Sequence, residues 1–131
     1  MMSWLESVLD ANFKLDSDQR RKVILMMHIP PGLNYFKEDG KASPVEVFWK
    51  EEFLKAYLQI IKKYQGDILI NLGSHIHRAS IKAPVSQYMN DLELVMLLTP
   101  SISPIYKNNP GFTLMRIGDD NKIQDIRSRV F

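Results

Sequence analysis

The run Val23-Ile24-Leu25-Met26-Met27-His28-Ile29-Pro30-Pro31-Gly32 decides how the chain reads. Five consecutive apolar residues, 23 to 27, suit a strand buried on both faces. Proline fixes its own φ and lacks an N–H, so Pro30 and Pro31 stop any ladder or helix there. A second run, Asp67-Ile68-Leu69-Ile70-Asn71-Leu72, has the same character and leads into Gly73-Ser74-His75-Ile76-His77. Between the two, Val45, Phe48, Trp49, Phe53, Tyr57, Ile60, Ile61 and Tyr64 recur at three- and four-residue steps among charged residues. That spacing predicts an amphipathic helix over 45–64, with Ser43 as its cap, Pro44 at its first position and Gly66 at its end. Strand, helix and strand in this order make a βαβ unit with two parallel strands.

Outward from this unit the pattern changes. Towards the N-terminus, Trp4, Leu5, Val8 and Leu9 fall at helical spacing, with Ser3 and Glu6 placed as a capping box. Residues 16 to 22 are polar and read as a loop. Residues 33 to 44 read as a loop as well. Towards the C-terminus, residues 81–85, 92–98, 113–117 and 123–126 read as strands separated by turns. The turn signals include Pro100-Ser101-Ile102-Ser103-Pro104, Asn108-Asn109-Pro110-Gly111 and Gly118-Asp119-Asp120-Asn121. The expected class is therefore α/β of the α+β sandwich type: a βαβ unit followed by a run of mostly antiparallel strands. At 131 residues, one domain is expected.

Composition narrows the chemistry. Seventeen basic and 15 acidic residues leave a net charge of +2, which gives no electrostatic footprint for nucleic acid. The basic run Gln19-Arg20-Arg21-Lys22 is short and reads as a solvated loop or helix end. With no cysteine, disulfides, thiolate metal sites and a cysteine nucleophile are excluded. No apolar run approaches the roughly 20 residues that span a bilayer. The first residues carry no basic and apolar leader pattern, so no signal peptide is expected.

The chain has three histidines, His28, His75 and His77, and each lies just beyond a predicted strand. Parallel strands end at the same edge of a sheet, and open α/β sheets bind ligands beyond that edge. The three imidazoles are therefore expected to converge, and neutral imidazole is a common ligand for zinc and other transition metals. A single histidine at a strand end is usually an ordinary surface residue; three of three in equivalent places point to a metal or catalytic site.

The segment from Val23 to Gly32 resembles the His-Ile-Pro-Pro-Gly motif of acid-sphingomyelinase-like phosphodiesterases, a branch of the calcineurin-like metallophosphoesterases. Ser74-His75-Ile76-His77 is similar to that family's Gly-His-x-His motif. The helix around Trp4 to Leu9, the Pro100–Pro104 segment and Asn108-Asn109-Pro110 resemble further family segments in the same order. The resemblance implies a C-terminal portion of a calcineurin-like metallophosphoesterase domain, hence a partial fold of that kind. It implies two divalent metals, often zinc, that activate a bridging water for attack at phosphorus. Carried over, His28 and His75 would ligate one metal and His77 the other, with Pro30, Pro31, Gly32 and Ser74 shaping the pocket. The implied substrate is a phosphodiester or phospholipid-like molecule, and relatives are often secreted or lysosomal.

The family's Asp-x-His, Gly-Asp-x-x-Asp and Gly-Asn-His motifs are not in these 131 residues. Zinc sites that work have at least three protein ligands, so this chain alone is expected to be inactive. Ser74 stands where the family has glycine and is expected to fit that backbone poorly. Ala79 stands where an acidic residue often orients a histidine. These departures also suit a degenerate, non-catalytic domain that serves as a structural or interaction subunit. Either way, exposed sheet edges are expected to call for self-association or a partner chain.

Overall fold

A computed structural model describes residues 1–34, 46–83 and 95–131. The elements are α1 (Met2–Phe13), β1 (Val23–Met26), β2 (Leu33–Asn34), β3 (Glu46–Val47), α2 (Glu51–Lys63), β4 (Ile68–Gly73), β5 (Ser80–Lys82), β6 (Met96–Leu98), β7 (Gly111–Ile117) and β8 (Ile123–Val130). The architecture is mixed α/β, as the sequence predicts. The predicted βαβ unit is present: β1 pairs with β4 in parallel, with α2 between them in sequence.

The main sheet has four strands in the order β1-β4-β6-β5. β4 is its centre and is buried along most of its length. β6 adds to β4 in parallel and β5 to β6 antiparallel, so the second half is not uniformly antiparallel. β7 and β8 form an antiparallel hairpin joined through Gly118–Asn121. The eight residues of β8 extend past the predicted end at 126 to Val130.

The core lies where α1 and β4 meet α2. Tyr57, Ile60, Ile61 and Tyr64 sit at helical positions i, i+3, i+4 and i+7, and all are buried together with Leu9 and Ile68. Leu5, Val23, Leu25 and Trp49 pack around this cluster. Polar links pin α1 to α2: the Tyr64 hydroxyl donates to Asp10 Oδ1 at 3.2 Å, and Lys63 reaches Glu6 at 3.0 Å. The exposed Lys63–Glu6 pair adds little stability by itself. Arg20 lies over the Phe13 ring at 4.5 Å, and Asn12 exchanges two hydrogen bonds with the Arg21 backbone. Arg20 and the Arg21 backbone thus close the end of α1, while Gln19, Arg21 and Lys22 are exposed, as a solvated helix end would have them.

Several sequence expectations are corrected. β1 is not buried on both faces: its pattern alternates, and Met26 is 78% exposed. Val23 and Leu25 face the core cluster, so Ile24 and Met26 point to the opposite face, which is exposed. Ser3 lies inside α1, and Met1 takes the cap position without a side-chain bond. α2 begins at Glu51, not at 45, because Glu46 and Val47 pair with Leu33 and Asn34 as a two-stranded ribbon. Glu51 and Glu52 in the first turn and Lys62 and Lys63 in the last complement the helix dipole and mark the true ends. The cap is Tyr64 and not Gly66. The proposed cap at Ser43 and Pro44, and the predicted strand residues 84–85 and 92–94, lie outside the described residues.

Two buried polar groups tie the helix to the sheet. The Tyr57 hydroxyl donates to Asn71 Oδ1 at 3.1 Å, and both residues are 2% exposed. Burial pushes the phenol pKa above its ordinary value. The unfolded chain ionises at about pH 10, so this contribution is intact below about pH 10 and is lost as pH rises beyond it. Tyr57→Phe leaves the buried Asn71 carbonyl unpaired and is expected to cost about 1–3 kcal/mol at neutral pH. Denaturant unfolding of both forms at neutral and alkaline pH checks this, and the variant is expected to lose less stability above about pH 10 than the parent.

Candidate metal centre at the sheet edge

The ladder between β1 and β4 continues past both strands. Met27 N–H donates to Leu72 C=O at 3.0 Å, and Ser74 N–H donates to His28 C=O at 3.1 Å. His28 is thereby held opposite Ser74, and the imidazole of His75 meets that of His28. Their nitrogens, His28 Nε2 and His75 Nδ1, are 3.3 Å apart, with the rings at 77°. Ser74 Oγ lies 3.0 Å from the other nitrogen, His28 Nδ1. Without a metal, the nitrogen pair is a hydrogen bond in which one ring donates. The spacing also suits a shared ion: two ligand nitrogens on one tetrahedral zinc, each about 2.0–2.1 Å from it, lie about 3.3 Å apart.

His77 takes a different neighbour. Its ring packs on Tyr106 with centroids 4.7 Å apart. Its Nδ1 is buried and has no hydrogen-bond partner. Among the described residues, no group of three His, Asp or Glu side chains is arranged to hold a metal ion. The structure thus joins His28 with His75, and sets His77 apart from them on Tyr106.

The turn that carries these histidines is strained. His75 and His77 adopt left-handed φ values of 71° and 57°. Such a conformation costs a non-glycine residue on the order of 1–3 kcal/mol and concentrates at functional sites. Ser74 itself does not have a positive φ, which corrects the expectation that replacing glycine strains this position. Ile76 N–H donating to Ser74 C=O at 2.8 Å closes the turn.

The Pro30-Pro31-Gly32 segment is held by three side-chain or backbone donors from two segments. Trp49 Nε1 donates to Ile29 C=O at 3.1 Å, and Phe48 N–H donates to Gly32 C=O at 3.0 Å. From β5, Lys82 Nζ donates to Leu33 C=O at 2.8 Å and approaches Pro31 C=O at 3.5 Å. The same ammonium sits 4.8 Å from the Phe48 ring centroid, and the Phe48 ring meets His75 edge-on at 5.4 Å. Burial lowers the Lys82 pKa. Buried Pro30 leans on Gly73, where an added Cβ would lie 3.2 Å from Pro30 Cβ and 2.7 Å from Leu98 Cδ2.

A curated protein of Dictyostelium discoideum, sphingomyelinase phosphodiesterase D, is 31% identical to this chain over 128 residues. The chain is similar to a sphingomyelinase phosphodiesterase. The match covers 95% of this chain and 27% of the length of that relative. No protein-family model matches the chain. Sequence reasoning found the three histidines, the Pro-Pro-Gly turn and Ser74, but missed Phe48, Trp49, Lys82 and Tyr106. Phe48 and Trp49 were absorbed into a helix that starts after them. The acidic pair Glu51-Glu52 was the signal that places the helix start later.

The clamp gives a direct test. Gly32 has φ +94°, a region where a Cβ costs about 1–2 kcal/mol. Gly32→Ala is expected to lower stability by about that amount and to shift the His28 and His75 ring signals in NMR spectra. Unchanged ring signals would show that the turn does not set the histidine geometry.

Proposed function

We propose that this chain forms part of the catalytic domain of a metal-dependent phosphoric-ester hydrolase, an acid-sphingomyelinase-like phosphodiesterase. The observation that carries the reading is the His28–His75 pair, whose 3.3 Å nitrogen separation suits two ligands of one divalent ion. The similarity to a sphingomyelinase phosphodiesterase supports the substrate class, a phosphodiester. His28 and His75 would hold one ion, with zinc favoured by the imidazole donors, and His77 would contribute to a second. The ions, when bound, supply a nucleophilic water and charge stabilisation at phosphorus. The chain's own part is to orient the imidazoles and to wall the pocket with Pro30, Pro31, Gly32 and Ser74.

Two imidazoles on one ion fall short of the three protein ligands of working zinc sites. The 131 residues alone are therefore expected to bind zinc weakly and to leave phosphodiesters intact. No helix among the described residues is long and apolar enough to cross a membrane. The outer strand β1, with exposed Ile24 and Met26, is the edge that a second copy or a partner chain would cover.

The reading is tested by titrating the chain with zinc and assaying a chromogenic phosphodiester. Zinc binding that disappears in His75→Ala, with no turnover, is the expected result. Turnover by the 131 residues, abolished in His75→Ala, would overturn the expected inactivity. No zinc binding by the parent chain would favour the non-catalytic, structural subunit.

A further inference from the structure

We infer that one face of the β7–β8 hairpin, built from Phe112, Leu114, Arg116, Arg127, Arg129 and Phe131, docks on a bilayer that carries anionic phospholipid. The inference stands apart from the histidine pair and does not rest on the hydrolase reading.

The register defines the face. Residues directly opposite each other in an antiparallel pair share a face, and neighbours along a strand alternate. Phe112 lies opposite Arg129, Leu114 opposite Arg127 and Arg116 opposite Asp125. Phe131 N–H donates to Pro110 C=O at 2.8 Å, which carries the ladder one step further. The Phe131 and Phe112 rings lie 5.8 Å apart. All six side chains are exposed. The opposite face differs in character. Thr113, Met115, Ile126 and Ser128 stand there without a charge, and the Thr113 and Ser128 hydroxyls meet at 2.9 Å.

Charge decides what the first face fits. Three arginines share it with one carboxylate, Asp125, and Arg127 Nε takes that carboxylate at 2.6 Å. Arg116 and Arg129 have no acidic partner among the described residues. The whole chain carries only +2, so this positive excess is local. A second copy of the face would set arginine against arginine, which is unfavourable. An acidic polypeptide would satisfy the guanidinium groups but offers no apolar phase for Phe112, Phe131 and Leu114, the last 59% exposed. A bilayer interface supplies both. Anionic headgroups meet the arginines, and the acyl chains just beneath them take the leucine and the phenylalanines. The arginine stems are long enough to hold their charge at the headgroups while their neighbours sit deeper.

The test is co-sedimentation of the 131-residue chain with vesicles of phosphatidylcholine, with and without phosphatidylserine. Binding is expected only with phosphatidylserine, and it is expected to weaken as salt is raised. Each basic residue near an anionic surface contributes roughly fivefold, so Arg116→Gln together with Arg129→Gln is expected to weaken binding about 25-fold. Leu114→Ser is expected to weaken it roughly 10-fold by removing apolar insertion. Amide spectra of the variants establish that the hairpin is retained. Absence of binding to phosphatidylserine vesicles at low salt overturns the inference. So does binding that neither the arginine pair nor Leu114→Ser changes. Polyglutamate is the comparison ligand: if it binds as well as the vesicles do, and Leu114→Ser is without effect on either, the face fits an acidic polypeptide and the bilayer assignment fails.

Discussion

The parallel register of β1 against β4 is the constraint on which the candidate site depends. Each strand supplies one side of the site only because the backbone ladder runs on from Met27–Leu72 to His28–Ser74. A slip of one residue would turn every side chain of β1 to the opposite face of the sheet. It would also take His28 away from Ser74 and His75. The register is in turn fixed by the core, where Leu25 and Val23 face the cluster that α2 builds with Leu9 and Ile68. Packing on one side of the sheet thus sets imidazole geometry at its edge.

Rigidity at that edge is obtained from hydrogen bonds to loop carbonyls. Two consecutive prolines remove two N–H donors from the loop, so its backbone bonds must come through its carbonyls. Three donors arrive from two segments: the Phe48 amide and the Trp49 indole from the link before α2, and the Lys82 ammonium from β5. Lys82 is the costly member, since burial disfavours its charge. Its carbonyl contacts and the face of Phe48 offset part of that cost. Because Phe48 also touches His75, the loop after β1 and the turn after β4 share a support. Strain in the left-handed His75 is held by these surroundings, and that in His77 by its packing on Tyr106.

Much of the fold was legible in the sequence because its signals were local. The helical period from Phe53 to Tyr64, the two apolar runs and the turns around Pro100 and Gly118 each state their own structure. The βαβ order then placed the histidines at one edge by handedness and connectivity rules alone. The misread parts depend on non-local contacts. Phe48 and Trp49 fit a helical period, yet pairing of Glu46 and Val47 with Leu33 and Asn34 pulls the chain out of helix there. β1 looked doubly buried from composition, but Met26 points to the face opposite the core cluster, which is exposed. The contact of His77 with Tyr106 joins residues 29 apart in sequence, and no periodicity announces it.

Ser74 shows how far a motif comparison carries and where it stops. Judged by the family pattern alone, serine in place of glycine is a loss of backbone freedom. The geometry reverses that judgement, because the left-handed angles fall on His75 and His77 and leave Ser74 unstrained. A side chain at this position then becomes a resource, since its hydroxyl is within 3.0 Å of a ring nitrogen. Ala79, by contrast, is exposed and supplies no polar group. No carboxylate stands at Ala79 to orient a histidine, whereas the Ser74 hydroxyl lies beside the His28 ring.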